Sequence, residues 1–217
     1  MGERRLAAVL SADMVGYSRL MEADEAGTLA RLKTHRLELI DPAISKQRGR
    51  IIKTTGDGLL VEFPSVADAV PCAVEIQHRM MRRNADVAPA RWIQFRIGIN
   101  LGDVIFEDND LFGDGVNVAA RLQELAEPGG ICVSGAVRDQ VGDRLDDVVF
   151  ADLGEQASRT SSAASEYTVS GCSPSRRLRP KAWPAPRPWK SLRNRRSPCY
   201  RFSTSVAIRS RSSSLMD

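Results

Sequence analysis

The sequence is poor in cysteine, histidine and long apolar runs, and each shortage excludes a class of protein. Its four cysteines, Cys72, Cys132, Cys172 and Cys199, have neither disulfide nor metal-ligand spacing, which predicts a reducing compartment. The 2 histidines have no acidic or cysteine partner at catalytic spacing. No apolar run approaches the roughly 18 residues of a membrane span, and the start lacks an apolar signal segment. We therefore expect a soluble, cytoplasmic protein without a membrane partner.

Charge is distributed unevenly along the 217 residues. Residues 1–156 hold 18 basic and 25 acidic side chains, a formal charge of −7, whereas residues 157–217 hold 13 basic and 2 acidic ones, a formal charge of +11. The overall charge of +4 averages an acidic domain and a basic tail. Because the basic excess lies in one segment, it does not indicate a nucleic-acid-binding domain. We expect one domain with an appendage and no nucleic-acid partner.

Strand and helix patterns alternate up to about residue 156, which predicts an α/β or α+β class around one sheet. A strand over Leu6–Leu10, covered on both faces, brings Asp13 to its end. The paired glycines of Thr54–Gly58 are typical of a tight hairpin turn with Asp57 at its tip. The other predicted strands are 51–53, 59–63, 93–100, 131–134 and 148–150, and the strand over 93–100 continues at 104–106 after a Gly102-Asp103 turn. The first predicted helix covers 29–44 and is interrupted at Pro42. The second covers 65–84 and is capped by Ser65, and a third follows Gly113-Asp114-Gly115.

Asp13 and Asp57 are the acidic residues that such a sheet could hold together at one edge. Paired carboxylates bind Mg²⁺ or Mn²⁺ through hard oxygen ligands and leave positions for water and phosphate. Spacing alone leaves another interpretation open, because aspartate is common in turns and Asp57 would then only satisfy its own turn.

Three segments, taken together, resemble the signature blocks of class III nucleotidyl cyclases. They are Ala12–Ser18, Ile52–Gly58 and Asp110–Leu122, in that order. The resemblance covers about residues 4–156. It implies a ferredoxin-like α/β (α+β) catalytic domain with one central, mostly antiparallel sheet and helices packed on it. It also implies a homodimer whose active sites are shared between the two chains.

The resemblance further implies roles for individual residues. Asp13 and Asp57 match the two metal-binding aspartates, so two divalent ions, Mg²⁺ or Mn²⁺, are the expected cofactors. Asn117 and Arg121 lie four apart on a predicted helix and share a face; they match the catalytic pair that orients the ribose and stabilises charge on the phosphate. In the implied reaction the ribose 3′-hydroxyl attacks the α-phosphorus and pyrophosphate leaves, following the two-metal logic of phosphoryl transfer.

Lys53 and Asp110 match the positions at which the family selects its purine. Adenine has an acceptor at N1 and a donor at its 6-amino group, and guanine has the reverse pattern. Lysine only donates and ionised aspartate only accepts, so the pair complements adenine. We therefore expect an adenylate cyclase that uses ATP, with Lys53, Asp110, Asn117 and Arg121 contributed by one chain and the aspartates by the other. The alternative is an impaired or non-catalytic cyclase-like regulatory module.

The tail after Gln156 lacks the Leu-Lys-Asn segment and the closing strand that the resemblance implies. It is rich in Ser, Arg and Pro without periodicity, which predicts disorder. Codons shifted by one base permit a Leu-Lys-Asn-Ile segment and a Val-Arg-Val-Tyr-Arg-Val strand between Ala157 and Ser170. From this we predict a single-base deletion, a catalytic domain over 4–156 without its closing strand, and a disordered, out-of-frame basic tail over 157–217.

Overall fold

One mixed β-sheet organises the fold. The computed structural model describes residues 2–108, 110–142, 150–157 and 166–172. Within them the strand order is β2-β3-β1-β4-β6-β8-β7, with β5 paired to β4, and every pair is antiparallel except β4 with β6. This is the mostly antiparallel architecture that was expected. The strands are β1 (Glu3–Met14), β2 (Arg50–Thr55), β3 (Gly58–Phe63), β4 (Phe95–Glu107), β5 (Asp110–Phe112), β6 (Ile131–Ser134), β7 (Ala151–Ala157) and β8 (Glu166–Cys172).

Six α-helices are present in the described residues. Across this part of the chain, none is long and apolar enough to cross a membrane. A π-helical turn over Arg36–Ile40 joins the second helix to the third, and a 3₁₀ turn covers Pro89–Arg91. The helices are α1 (Tyr17–Ala23), α2 (Glu25–His35), α3 (Asp41–Lys46), α4 (Val66–Asn84), α5 (Asp114–Leu125) and α6 (Gly135–Val141).

The helix predicted over 29–44 is interrupted by the π-helical turn over Arg36–Ile40, just before Pro42. Pro42 has no N–H to donate, so the regular hydrogen-bond ladder cannot continue through it. The carbonyl of Glu38, four residues earlier, instead accepts from Arg79 Nη2 at 3.4 Å. The segment begins at Glu25, one residue after Asp24, whose side chain caps α2 by accepting from the backbone N–H of Gly27 at 2.9 Å.

The larger core lies between the sheet and α2, α3, α4 and α6. Two polar side chains of α4 connect this helical layer to the sheet side through hydrogen bonds to backbone carbonyls. Gln77 Nε2 donates to the carbonyls of Phe95 and Gly130, both at 2.9 Å, and Asn84 Nδ2 donates to the carbonyl of Ile93 at 2.8 Å. These bonds satisfy buried polar groups that would otherwise destabilise the core. Its largest fully buried side chains include Leu10, Met14, Leu39, Ile44, Phe63, Met80, Ile97 and Ile99.

The opposite face of the sheet is covered by α5, which packs across β1 and β4. A smaller core lies there, with Ala7, Val9 and Val104 among its members. The helix backbone rests directly on β4 at Gly98. A Cβ atom at that position would lie 2.2 Å from the carbonyl oxygen of Ala119. Only glycine permits this approach, which brings α5 over the face that carries Asp13.

Three local expectations are corrected by the structure. No turn interrupts β4 at Gly102-Asp103, because β4 pairs with β1 without a break from Glu3↔Phe106 to Met14↔Phe95. Leu6 is 65% exposed rather than buried, since it lies on β1 before the part that the core covers. The strand predicted over 148–150 falls mostly on residues 143–149, outside the described residues, and the observed strand β7 starts at Ala151.

A strand over Glu166–Cys172 lies in the region where the closing strand was expected to be missing. It lies between β6 and β7 and is antiparallel to both. The sequence as given already has a strand pattern here, because Tyr167 and Val169 alternate with polar neighbours. The sheet therefore continues past the predicted boundary at 156. Residues 158–165 and 173–217 are outside the described residues, so the single-base deletion and the disordered tail stay predictions.

Candidate active site

An open cavity of about 560 Å³ lies on the α5 side of the sheet. This volume is typical of small-molecule sites. The end of β1, the β2–β3 hairpin, β5 and the start of α5 all contribute to its lining. Four of the predicted site residues line it, namely Asp13, Lys53, Asp110 and Asn117.

The position of the two aspartates follows from strand geometry. Successive side chains of a strand point to opposite faces, so Asp13 shares the α5 face with Ala7 and Val9 of β1. Asp57 lies at the tip of the β2–β3 hairpin, where Gly56 adopts a φ of 62°. Because β3 pairs with β1, the hairpin brings Asp57 next to Asp13. Asp57 is not among the residues that line the large cavity and instead lines a smaller pocket with Leu10 and Phe95.

The two carboxylates influence each other. Burial, together with the neighbouring charge of Asp13, raises the pKa of Asp57. Asp13 Oδ2 accepts a hydrogen bond from Arg96 Nη2 at 3.0 Å. Two adjacent carboxylates are hard oxygen ligands that fit Mg²⁺ or Mn²⁺. The described residues contain no group of three or more His, Cys, Asp or Glu that could hold a metal ion.

We expect Asp57→Asn to stabilise the metal-free protein at pH 7. The raised pKa means that the ionised carboxylate is less favourable in the folded state than in the unfolded state. Asparagine removes this penalty, so we expect a rise in Tm of about 1–3 °C in the presence of a chelator. The gain should shrink as the pH falls through the raised pKa, because the wild-type side chain then becomes neutral too.

Thermal denaturation between pH 7 and pH 4 checks this result. Asp86→Asn, at an exposed position after α4, is the control and should leave the Tm unchanged. An Asp57→Asn protein that is less stable than wild type at pH 7 would contradict the penalty that burial and the charge of Asp13 place on ionised Asp57.

Lys53 and Asp110 form an ion pair at the mouth of the cavity. Lys53 Nζ donates to Asp110 Oδ2 at 2.9 Å, and Asp110 Oδ1 accepts from the backbone N–H of Leu111 at 2.9 Å. The hydrogen bond from Lys53, followed by that from Leu111, lowers the pKa of Asp110. The carboxylate is therefore held ionised beside a cationic donor. Both groups keep hydrogen-bonding capacity for a ligand, because lysine has three donors and a carboxylate about four acceptor positions.

The two predicted residues of α5 differ in their relation to the cavity. Asn117 is exposed and lines the cavity. Arg121 lies one turn further along the helix, is partly buried and is not among the lining residues. It makes no side-chain hydrogen bond or ion pair to a described residue. Its predicted role toward a phosphate therefore remains a proposal.

Two polar residues of this region, Arg96 and Gln123, have no motif in the sequence. Arg96 is one member of an alternating strand pattern, and only the pairing of β4 with β1 places it opposite Asp13. Gln123 lines the cavity, and its buried Nε2 has no hydrogen-bond partner among the described residues. Neither could be singled out without knowing which strands and helices meet.

The fold defines the class of the protein. A mostly antiparallel sheet with helices packed on it, carrying a carboxylate pair beside one open cavity, is the α/β architecture of class III nucleotidyl cyclases. Residues 3–170 match the model of the adenylate and guanylate cyclase catalytic domain. The chain belongs to this family.

Several relatives support the assignment. "Putative adenylate cyclase 3" of Rhizobium meliloti (strain 1021) is 50% identical over 151 residues, which cover 70% of this chain and 26% of that protein. An adenylate cyclase of Streptomyces coelicolor is 33% identical over 145 residues, covering 65% of this chain and 35% of that protein. The chain thus spans about a quarter to a third of these relatives.

A solved structure is similar over nearly its whole length. The crystal structure of an adenylate/guanylate cyclase/hydrolase from Silicibacter pomeroyi is 49% identical, with a TM-score of 0.74, and the match covers 80% of this chain and 99% of that chain. The adenylyl cyclase CyaB from P. aeruginosa is 25% identical with a TM-score of 0.66, covering 82% of this chain and 98% of that chain.

Proposed function

We propose that this chain is the catalytic domain of an adenylate cyclase, which converts ATP to 3′,5′-cyclic AMP and pyrophosphate. The observation that carries the proposal is the Lys53–Asp110 pair, 2.9 Å apart, on the lining of the large cavity. A donor held beside an acceptor matches the N1 and 6-amino edge of adenine. Relatives named as adenylate cyclases support the same activity.

The purine is recognised by Lys53 and Asp110 together. Lys53 can keep one hydrogen bond to Asp110 and donate another to adenine N1. Asp110 accepts from the 6-amino group with its remaining lone pairs. Guanine would place a donor against Lys53 and an acceptor against Asp110, and both contacts are unfavourable. The pair therefore selects ATP over GTP.

Asp13 and Asp57 would hold two divalent cations, Mg²⁺ or Mn²⁺. When bound, such ions supply charge neutralisation at the phosphates and lower the pKa of an attacking hydroxyl. Asn117 orients the ribose, and Arg121 meets charge on the phosphate with its planar guanidinium. A bond forms between the ribose 3′-oxygen and the α-phosphorus. The bond between the α-phosphorus and the oxygen that bridges it to the β-phosphorus breaks, and the hydroxyl proton and pyrophosphate are released.

The active form is proposed to be a homodimer with shared sites. The family resemblance assigns the aspartates of one chain to the same site as Lys53, Asp110, Asn117 and Arg121 of the other. The exposed positions of Lys53 and Asn117 beside the open cavity support this proposal, because a second chain could reach them.

Product analysis tests the proposed function. The purified chain is incubated with ATP and Mn²⁺, and we expect 3′,5′-cyclic AMP and pyrophosphate in equal amounts by chromatography and mass spectrometry. Asp13→Ala should abolish both products, because one of the two metal ligands is lost. A folded chain that binds Mn²⁺ and ATP but forms no cyclic AMP would instead support the non-catalytic regulatory module.

A further inference from the structure

Arg96 is a cationic side chain in direct contact with the carboxylate pair. It lies opposite Asp13 in the register of β1 and β4, and its Nη2 donates to Asp13 Oδ2 at 3.0 Å. The side chains of Arg96 and Asp13 are 31% and 30% exposed, so water screens the ion pair only in part. Arg96 Nε is buried and has no hydrogen-bond partner among the described residues.

This contact places the guanidinium on an oxygen that a metal would use. A cation that binds Asp13 must share Oδ2 with Arg96 or displace it. The guanidinium charge near that oxygen also repels a divalent ion through the Coulomb interaction, which is stronger at a partly buried site than in bulk water. Arg96 therefore opposes metal binding even though its own bond fixes the direction of the Asp13 side chain.

Lys53, the other cationic side chain considered at the cavity, forms its ion pair with a different carboxylate. Lys53 pairs with Asp110 at 2.9 Å, so it is not bonded to either aspartate of the carboxylate pair. Asp57 places a second carboxylate close to Asp13. Among the described residues, the cationic side chain that pairs with Asp13 is thus Arg96.

We propose that Arg96 is a positioning residue that acts as a built-in counter-ion of Asp13 and lowers the affinity of the carboxylate pair for divalent metal. This inference rests on the proposed role of Asp13 and Asp57 as metal ligands. With Arg96 present, the two aspartates bind a metal ion weakly in the absence of nucleotide. The negative triphosphate then contributes the additional attraction that holds the ions in the complete site.

The test measures Mn²⁺ binding without nucleotide, from the loss of the free Mn²⁺ signal in electron paramagnetic resonance. Arg96→Gln removes the charge and keeps a hydrogen-bond donor, so we expect the dissociation constant to fall about fivefold. Arg96→Met is a second neutral variant and should shift it in the same direction. Arg96→Lys keeps the charge and should stay within about twofold of wild type.

Arg31→Gln is the matched control, because Arg31 is similarly buried and pairs with Asp24 at 3.5 Å on the helical layer. It should leave Mn²⁺ binding unchanged. Unchanged or weaker binding by folded Arg96→Gln and Arg96→Met proteins would overturn the counter-ion role, as would an equal gain in Arg96→Lys. A wild-type chain that takes up no Mn²⁺ would overturn the metal role of the aspartates, and the inference with it.

Discussion

We expect Asp57→Ala and Arg121→Ala proteins to be inactive alone and an equimolar mixture of the two to recover activity. This is expected if every site combines the aspartates of one chain with Asn117 and Arg121 of the other. A mixed dimer then has one site with both damaged residues and one site with neither. Random exchange makes half of the dimers mixed, so the mixture should reach roughly a quarter of wild-type activity.

The matched control mixes Asp57→Ala with Asp13→Ala. Both changes damage the same half of the site, so no combination of these chains restores an intact pair and the mixture should stay inactive. Light scattering establishes that the mixed samples are dimeric. Asp13, Lys53, Asp110 and Asn117 of one chain line the same cavity, and a site formed within a single chain would leave both mixtures inactive. That result would refute sharing between chains.

We expect Lys53→Glu to remove most of the preference for ATP. In the wild-type protein we expect turnover of ATP to exceed that of GTP by about 100-fold or more, because guanine leaves the polar groups of Lys53 and Asp110 unsatisfied. The glutamate cannot donate to adenine N1 and is repelled by Asp110, which loses its 2.9 Å partner. We therefore expect ATP turnover to fall about 100-fold while GTP turnover changes much less.

Initial rates with each nucleotide at saturating Mn²⁺ measure this preference. Lys46→Glu is the control: Lys46 forms a comparable ion pair with Glu75 at 3.0 Å but lies on the helical layer. It should retain the wild-type ratio. Equal turnover of ATP and GTP by the wild-type protein would remove the purine-selecting assignment of Lys53 and Asp110.

Local patterns predicted most of the elements that build the site. The glycines around Asp57 predicted the hairpin turn, and the short apolar strand before Asp13 was found as β1. The apolar residues after Gly113-Asp114-Gly115 predicted the helix that carries Asn117 and Arg121. The least accurate expectations concerned long-range pairing. β4 continues through Gly102 because β1 pairs along its whole length, and Glu166–Cys172 completes the sheet because β6 offers it an open edge.

The sequence by itself determined the family and most of the local elements and singled out the six proposed site residues, because these depend on short motifs and local periodicity. Only the tertiary structure decided which of them meet. Lys53 contacts Asp110, which is 57 residues away in the sequence, and Arg96 contacts Asp13, which is 83 residues away. Arg121 is not among the residues that line the cavity. Such contacts depend on strand register and on the close approach of α5 to Gly98, which arise from packing between segments distant in sequence.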